Sequence, residues 1–145
     1  MKTAQKLDAL FLEDLQRMRE MCRSIEVLIL CTEDGFNVCS SGVTDAQVSK
    51  LSAVISSLMA LGEGAFSSLD VRSPISNVVI ECSISKIVIE RVPIRKPRFF
   101  LMAKTSAAQL GAVLVAVRQG SVAIARKFSG KPNTDNHTHS GEAST

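Results

Sequence analysis

The sequence predicts an α+β domain with the element order αββαβββα, and three features of the 145-residue chain carry that prediction. Apolar residues recur at helical spacing in three separated stretches, β-branched runs of strand length fall between them, and turn formers sit at the joins. A hydrophobic content of 46% in a chain of this length is enough for one sizeable core and small enough to gain from dimerisation.

Each element has its own signal. Residues 4–22 set Leu7, Phe11, Leu15, Met18 and Cys22 on one stripe, with Asp8, Glu13, Asp14, Arg17 and Arg19 around it, as in a surface helix packed by one face. Residues 25–32 (IEVLILCT) form a nearly continuous apolar run suited to a strand covered on both faces. Asp34-Gly35 supplies the positive φ angles of a tight hairpin turn, and residues 36–40 return as the paired strand. Thr44 and Gln47 stand at capping-box spacing before a helix over 46–66. Ser73, Pro74 and Asn77 then punctuate a loop. Strands follow over 78–82 and 87–92, joined by a turn at 84–86, with Glu81 and Glu90 interrupting their apolar patterns; Pro93 and Pro97 end the second. Residues 99–103 make a fifth strand. Ser106 and Gln109 repeat the capping-box spacing ahead of a last helix reaching about Phe128, whose core stripe is Leu110, Val113, Leu114, Val117, Ile124 and Phe128. Residues 129–145 are polar and aperiodic and are predicted to be a disordered tail, which leaves 1–128 as the domain.

The middle helix is the most informative segment, because it has two packing faces. Val48, Leu51, Val54, Ile55, Leu58, Met59, Leu61, Ala65 and Phe66 fill one apolar arc suited to the core. The opposite arc carries Ser49, Ala53, Ser56, Ser57, Ala60, Gly64 and Ser67, with only Lys50 and Glu63 as charges at its margins. A solvated helix face usually displays Lys, Glu and Arg, whereas small side chains let a second backbone approach, so this arc reads as a contact face for another protein. A Ser-rich face that is merely solvated is the alternative.

Several function classes are disfavoured. The net charge of +3, from 17 Lys and Arg against 14 Asp and Glu, is too balanced for nucleic acid to be the main partner, and Trp and Tyr are absent as stacking platforms. Cys22, Cys31, Cys39 and Cys82 show no Cys-x-x-Cys and no His at ligand spacing, and read as buried free thiols of a reducing compartment. No signal peptide and no apolar stretch long enough to span a bilayer are recognised, so a cytoplasmic location is expected. His137 and His139 both lie in the tail, which removes the usual base from Ser-His and Cys-His arrangements, and Glu33 and Asp34 sit at a hairpin tip where water keeps carboxylates ordinary. No phosphate-cradling Gly-x-x-x-x-Gly-Lys-Ser/Thr is present. No catalysis, cofactor or metal site is expected.

One polar feature remains, the basic connection of Arg91, Arg95, Lys96 and Arg98, stiffened by Pro93 and Pro97. A solvated loop is its default reading; steering an acidic partner or contacting a phosphate is the functional one.

Over roughly residues 4–128 the chain resembles the roadblock or dynein-light-chain domain family, in particular its prokaryotic stand-alone members. The resemblance rests on VLILCTEDGFNVCSSG, the Ser- and Ala-rich helix, the strand pair VVIECSISKIVIERV and the segment FFLMAKTSAAQLGAVLVAVRQGSVAI, in that order. It implies a three-layer α-β-α, profilin-like domain with a five-stranded antiparallel sheet, the middle helix on one side and the terminal helices on the other. It also implies a homodimer formed through the middle helix and the edge strand after it. The interface residues it suggests are Ser49, Ala53, Ser56, Ser57, Ala60 and Gly64 on the helix and Val79 and Glu81 on the strand. The family's usual work is binding Ras-like small GTPases, as an activating regulator or a scaffold. A sensory or ligand-binding module of PAS-, GAF- or profilin-like architecture is the alternative, and would need a cavity with converging polar groups.

Overall fold

A computed structural model describes residues 2–106 and 109–129; of the predicted tail 129–145 only Ser129, the last residue of the final helix, is described, and the rest, with His137 and His139, lies outside the described residues. Eight elements follow in the expected order: α1 (Lys2–Met21), β1 (Ile25–Thr32), β2 (Asn37–Ser41), α2 (Asp45–Ser68), β3 (Asn77–Glu81), β4 (Lys86–Arg91), β5 (Phe99–Thr105) and α3 (Leu110–Ser129). The strands form one antiparallel sheet in the order β2-β1-β5-β4-β3, so β2 and β3 are its edges.

Alternation along the central strands divides the core into two layers. Leu28 and Leu30 of β1 and Phe99, Leu101 and Ala103 of β5 point to one face, where they meet Phe11, Leu15 and Met18 of α1 and Val113, Val117 and Ile124 of α3. Ile29, Cys31, Phe100 and Met102 point to the other face, onto Val48, Ile55 and Met59 of α2. The continuous apolar run of β1 is thus explained by cover on both faces. Phe11, Phe99 and Phe128 form a ring cluster, with centroids 5.2 to 6.3 Å apart, that ties α1, β5 and α3 together.

The caps and turns show where local chemistry decided the outcome. At α2 the Thr44 hydroxyl accepts from the Gln47 N–H (3.2 Å) and the Gln47 amide oxygen accepts from the Thr44 N–H (3.0 Å), completing the capping box. At the hairpin only Gly35 takes a positive φ (89°); Asp34 does not, contrary to the expected two-residue turn. The Gly35 N–H donates to the Thr32 carbonyl and the Thr32 N–H to the Phe36 carbonyl, a longer turn closed by a glycine bulge. The Ser106 hydroxyl donates to Glu26, which Lys104 also binds, instead of forming the expected capping box; α3 opens on the Gln109 carbonyl. That Lys104 contact, followed by Ser106, holds the Glu26 carboxyl below its usual range.

Cys22, Cys31 and Cys39 are buried free thiols, as expected, while Cys82 is exposed at the β3–β4 turn. Burial pushes the Cys31 thiol up to about 12, so it remains an unreactive core residue. The expectation that no segment is long and apolar enough to span a bilayer fails for α2, which meets both criteria by length and composition. Its Val48, Ile55 and Met59 lie against the sheet, while most of the helix is not buried in the single chain.

Glu90 marks a pH-sensitive point. It shares the inner face of β4 with Val88, beside Val92 just past the strand's end, and burial raises its carboxyl above the usual range although Arg118, 3.6 Å away, Asn77 and Arg91 pull it down. A carboxyl raised in the fold binds its proton more tightly there than in the unfolded chain, so stability falls as pH rises from the ordinary glutamate range through the folded value. Glu90→Gln should remove that slope, and the variant should gain on the parent protein steadily between acidic and neutral pH in urea unfolding. A constant difference across that range would contradict the assignment.

Candidate partner-binding surface

Placing the residues of α2 about 100° apart shows which of them the sheet covers. The buried positions are Val48, Ser52, Ile55 and Met59, a narrower stripe than the sequence suggested. Val54, Leu61, Ala65 and Phe66, expected in the core, are exposed; Leu61 reaches 71%. One sheet face covers only part of a helix, and the apolar arc read from the sequence was wider than that. Phe66 shares the angular position of Val48 but follows Met59, where the buried stripe of α2 stops. Ser52, which neither arc included, is fully buried.

The outward face therefore combines small and large apolar groups, and its two flanks look onto different neighbours. On one flank a Cβ at Gly62 would lie 2.7 Å from Ile75 Cδ1 and 3.6 Å from Val78, so Gly62 lets α2 settle against the β3 side. Leu51 and Leu58 pack on that side with Val78 and Ile87, leaving Val54, Leu61 and Ala65 beside them in solvent. On the other flank a Cβ at Gly35 would sit 3.3 Å from Ala53 Cα, which places Ser49, Ala53 and Ala60 toward the β1–β2 turn. Ser57 and Gly64 lie between the flanks; Ser56 is half-buried at the hairpin margin. Beyond the first turn the helix carries two charges, Lys50 and Glu63, and Glu63 is taken up by Arg98 at 3.3 Å.

The β3 edge continues this face. Val78 pairs with Ile89 and Ile80 with Ile87, so both point to the α2 side, and Ile80 is 38% exposed. Val79 and Glu81, singled out from the sequence, are exposed but oppose Val88 and Lys86 and belong to the other sheet face. A free strand edge beside a nearly uncharged helix face is an arrangement that single chains usually protect with Lys, Pro or a covering segment.

The basic connection takes two distinct forms. Arg98 is a structural tie: its guanidinium reaches Glu33 of the hairpin turn (3.4 Å) and Glu63 of α2 (3.3 Å), while its carbonyl accepts the Glu33 N–H. Arg91 Nε donates to the Ile75 carbonyl at 3.1 Å. Arg95 and Lys96 are exposed. Arg72, which sequence reasoning passed over, is brought to the same cleft as Arg91, Arg95 and Arg98 by the α2–β3 loop. Its signal was the turn-rich RSP triplet next to a helix end, which fixes a loop but not its neighbour.

Among solved structures the chain is similar to Myxococcus xanthus MglB, with a TM-score of 0.70 and 16% identity over 86% of this chain and 96% of that one. A roadblock/LC7 domain from Streptomyces avermitilis gives a TM-score of 0.70 and 16% identity over 83% and 95%. MglB in a tetrameric arrangement gives 0.72 and 15% over 83% and 88%. The chain has the roadblock/LC7 fold. No family model and no curated protein sequence matches it.

No group of three or more His, Cys, Asp or Glu among the described residues could hold a metal ion. Both core layers are built mainly from apolar side chains, and the features that stand out are surfaces: the α2 face with the β3 edge, and the arginine-lined end of the sheet.

Proposed function

We propose that this chain is a cytoplasmic homodimeric adaptor or regulator of a Ras-like small GTPase, acting through surfaces and not through catalytic side chains of its own. The observation that carries the reading is the nearly uncharged outward face of α2, continuous with the unpaired edge of β3, on a roadblock fold. Two copies joined across β3 and the Val54–Leu61–Ala65 flank would cover the larger apolar groups and complete the hydrogen bonding of the edge strand. The hairpin-side flank of Ser49, Ala53, Ser56 and Ala60 would then remain on each copy as a smooth surface for the GTPase. Residues 1–128 form the working domain in this account, and 129–145 contribute little to its stability because they offer few apolar groups.

A candidate GTPase loaded with GDP or with a non-hydrolysable GTP analogue tests this by calorimetry. Saturable binding that discriminates between the two nucleotide states is expected. Ala60→Arg should weaken it by about tenfold or more, since an unpaired guanidinium would be buried at a close approach, and the mass of the GTPase-free protein should not change. Equal binding by Ala60→Arg would move the GTPase to another surface.

A sensory reading has one observation in its favour, a cleft of about 430 Å³ between α1 and α3 lined by Met18, Met21 and three arginines. It opens at the surface and reaches the core layer only at Met18, which suits a contact groove better than an enclosed ligand chamber.

A further inference from the structure

At one end of the sheet the α2–β3 loop and the β4–β5 connection enclose an open cleft of about 740 Å³. Arg72 enters it from the first loop, Arg91 from the end of β4, and Arg95 and Arg98 from the second loop. We propose that this cleft is a binding site for a phosphate group, carried by a small molecule or by a phosphorylated side chain. The site lies apart from the pairing flank of α2 and does not rest on the GTPase reading.

Charge is the first argument. Among the described residues the only carboxylate lining the cleft is Glu63, and together with Glu33 it is engaged by Arg98. Arg72 and Arg95 have neither an ion-pair nor a hydrogen-bond partner among the described residues, and Arg91 uses only Nε, on the Ile75 carbonyl. Three guanidinium groups thus face one cleft without counter-charges of their own beyond the nearby Glu90. Gathering like charges raises the local potential and is unfavourable until an anion enters. A carboxylate would offset one of them, whereas a phosphate monoester carries about −1.5 to −2 at neutral pH and three acceptor oxygens. The planar guanidinium fork matches those oxygens in pairs.

Preorganisation is the second argument. The bond from Arg91 Nε to Ile75 fixes that guanidinium and leaves its terminal nitrogens available. Pro93 and Pro97 restrict the loop that presents Arg95, so less freedom is lost on binding. Ser67 and Ser73 line the same cleft and add hydroxyl donors. The negative end of α2 also lies here and would repel an anion, but its Phe66 and Ser67 carbonyls already accept the N–H groups of Leu69, Asp70 and Val71. Val71, Pro74 and Ile94 supply an apolar wall for the remainder of a ligand.

Titration calorimetry of the full chain at fixed ionic strength tests the site with four probes: inorganic phosphate, pyrophosphate, a phosphoserine peptide and the same peptide with glutamate in place of phosphoserine. Saturable binding of the phosphate probes is expected, with the phosphoserine peptide at least about tenfold tighter than its glutamate counterpart. Tighter binding of pyrophosphate than of the peptide identifies a free ligand, and the reverse identifies a modified protein. The surface variant Arg72→Gln/Arg95→Gln should keep the parent melting midpoint and lose about tenfold or more in affinity for the tighter probe. Three results would overturn the proposal: no saturation by any phosphate probe below about 10 mM, unchanged affinity in the double variant, or equal binding of the glutamate peptide.

Discussion

Leu61→Arg should turn the protein into a folded monomer. Leu61 is 71% exposed in the single chain, so a long charged side chain there meets only water and the helix keeps its stripe on the sheet. In a pair joined through the β3-side flank the same position would be covered, and an unpaired guanidinium would have to be desolvated against an apolar surface at a cost of about 3–5 kcal/mol. That corresponds to a dimer dissociation constant raised at least about a hundredfold. Sedimentation velocity at several concentrations measures it, with circular dichroism showing an unchanged helix content. An unchanged sedimentation coefficient for Leu61→Arg would place the interface elsewhere on the molecule.

Phe11→Ala should have the largest effect on the fold itself, a loss of about 3–5 kcal/mol in urea unfolding at fixed protein concentration. The ring is fully buried, stacks on Phe128 at 5.5 Å, meets Phe99 edge-on at 6.3 Å, and lies under the Lys127 ammonium at 5.8 Å. Removing it opens a cavity where α1, β5 and α3 join, and the rings of the other two phenylalanines lose a shared neighbour. The melting midpoint should fall by about 10 °C or more. A change below about 1 kcal/mol would mean that α1 is not a structural part of the core layer, because surface positions behave in that way.

Much of this architecture was legible because local and global signals agreed. The run IEVLILCT is apolar at every inner position of both core layers, and Thr44 with Gln47 fixes the start of α2 through atoms only three residues apart. The faces of α2 were harder to read. Val54 and Leu61 look like core residues by hydrophobicity, and only the width of the sheet beneath the helix decides that they lie outside it. Ser52 shows the converse, since a small polar side chain is buried where the hairpin turn comes close at Gly35. On β3 the register sets the side: Val79 and Glu81 were as plausible as Ile80 until pairing with β4 assigned them to opposite faces. The arginine cleft was half visible, because the prolines and Arg91, Arg95 and Arg98 are contiguous, whereas Arg72 joins them only through a tertiary approach. Arg98 looked equivalent to its neighbours, yet its contacts with Glu33 and Glu63 make it a tie between the hairpin and α2.

In the proposed homodimer the outward face of α2 and the edge of β3 are covered by a second copy of the chain. Light scattering coupled to size exclusion, on the unmodified protein over a wide concentration range, addresses this most directly. A mass of twice 15.6 kDa that persists on dilution is predicted. A mass of one chain at every concentration would contradict it and leave the nearly uncharged face of α2 without its proposed partner.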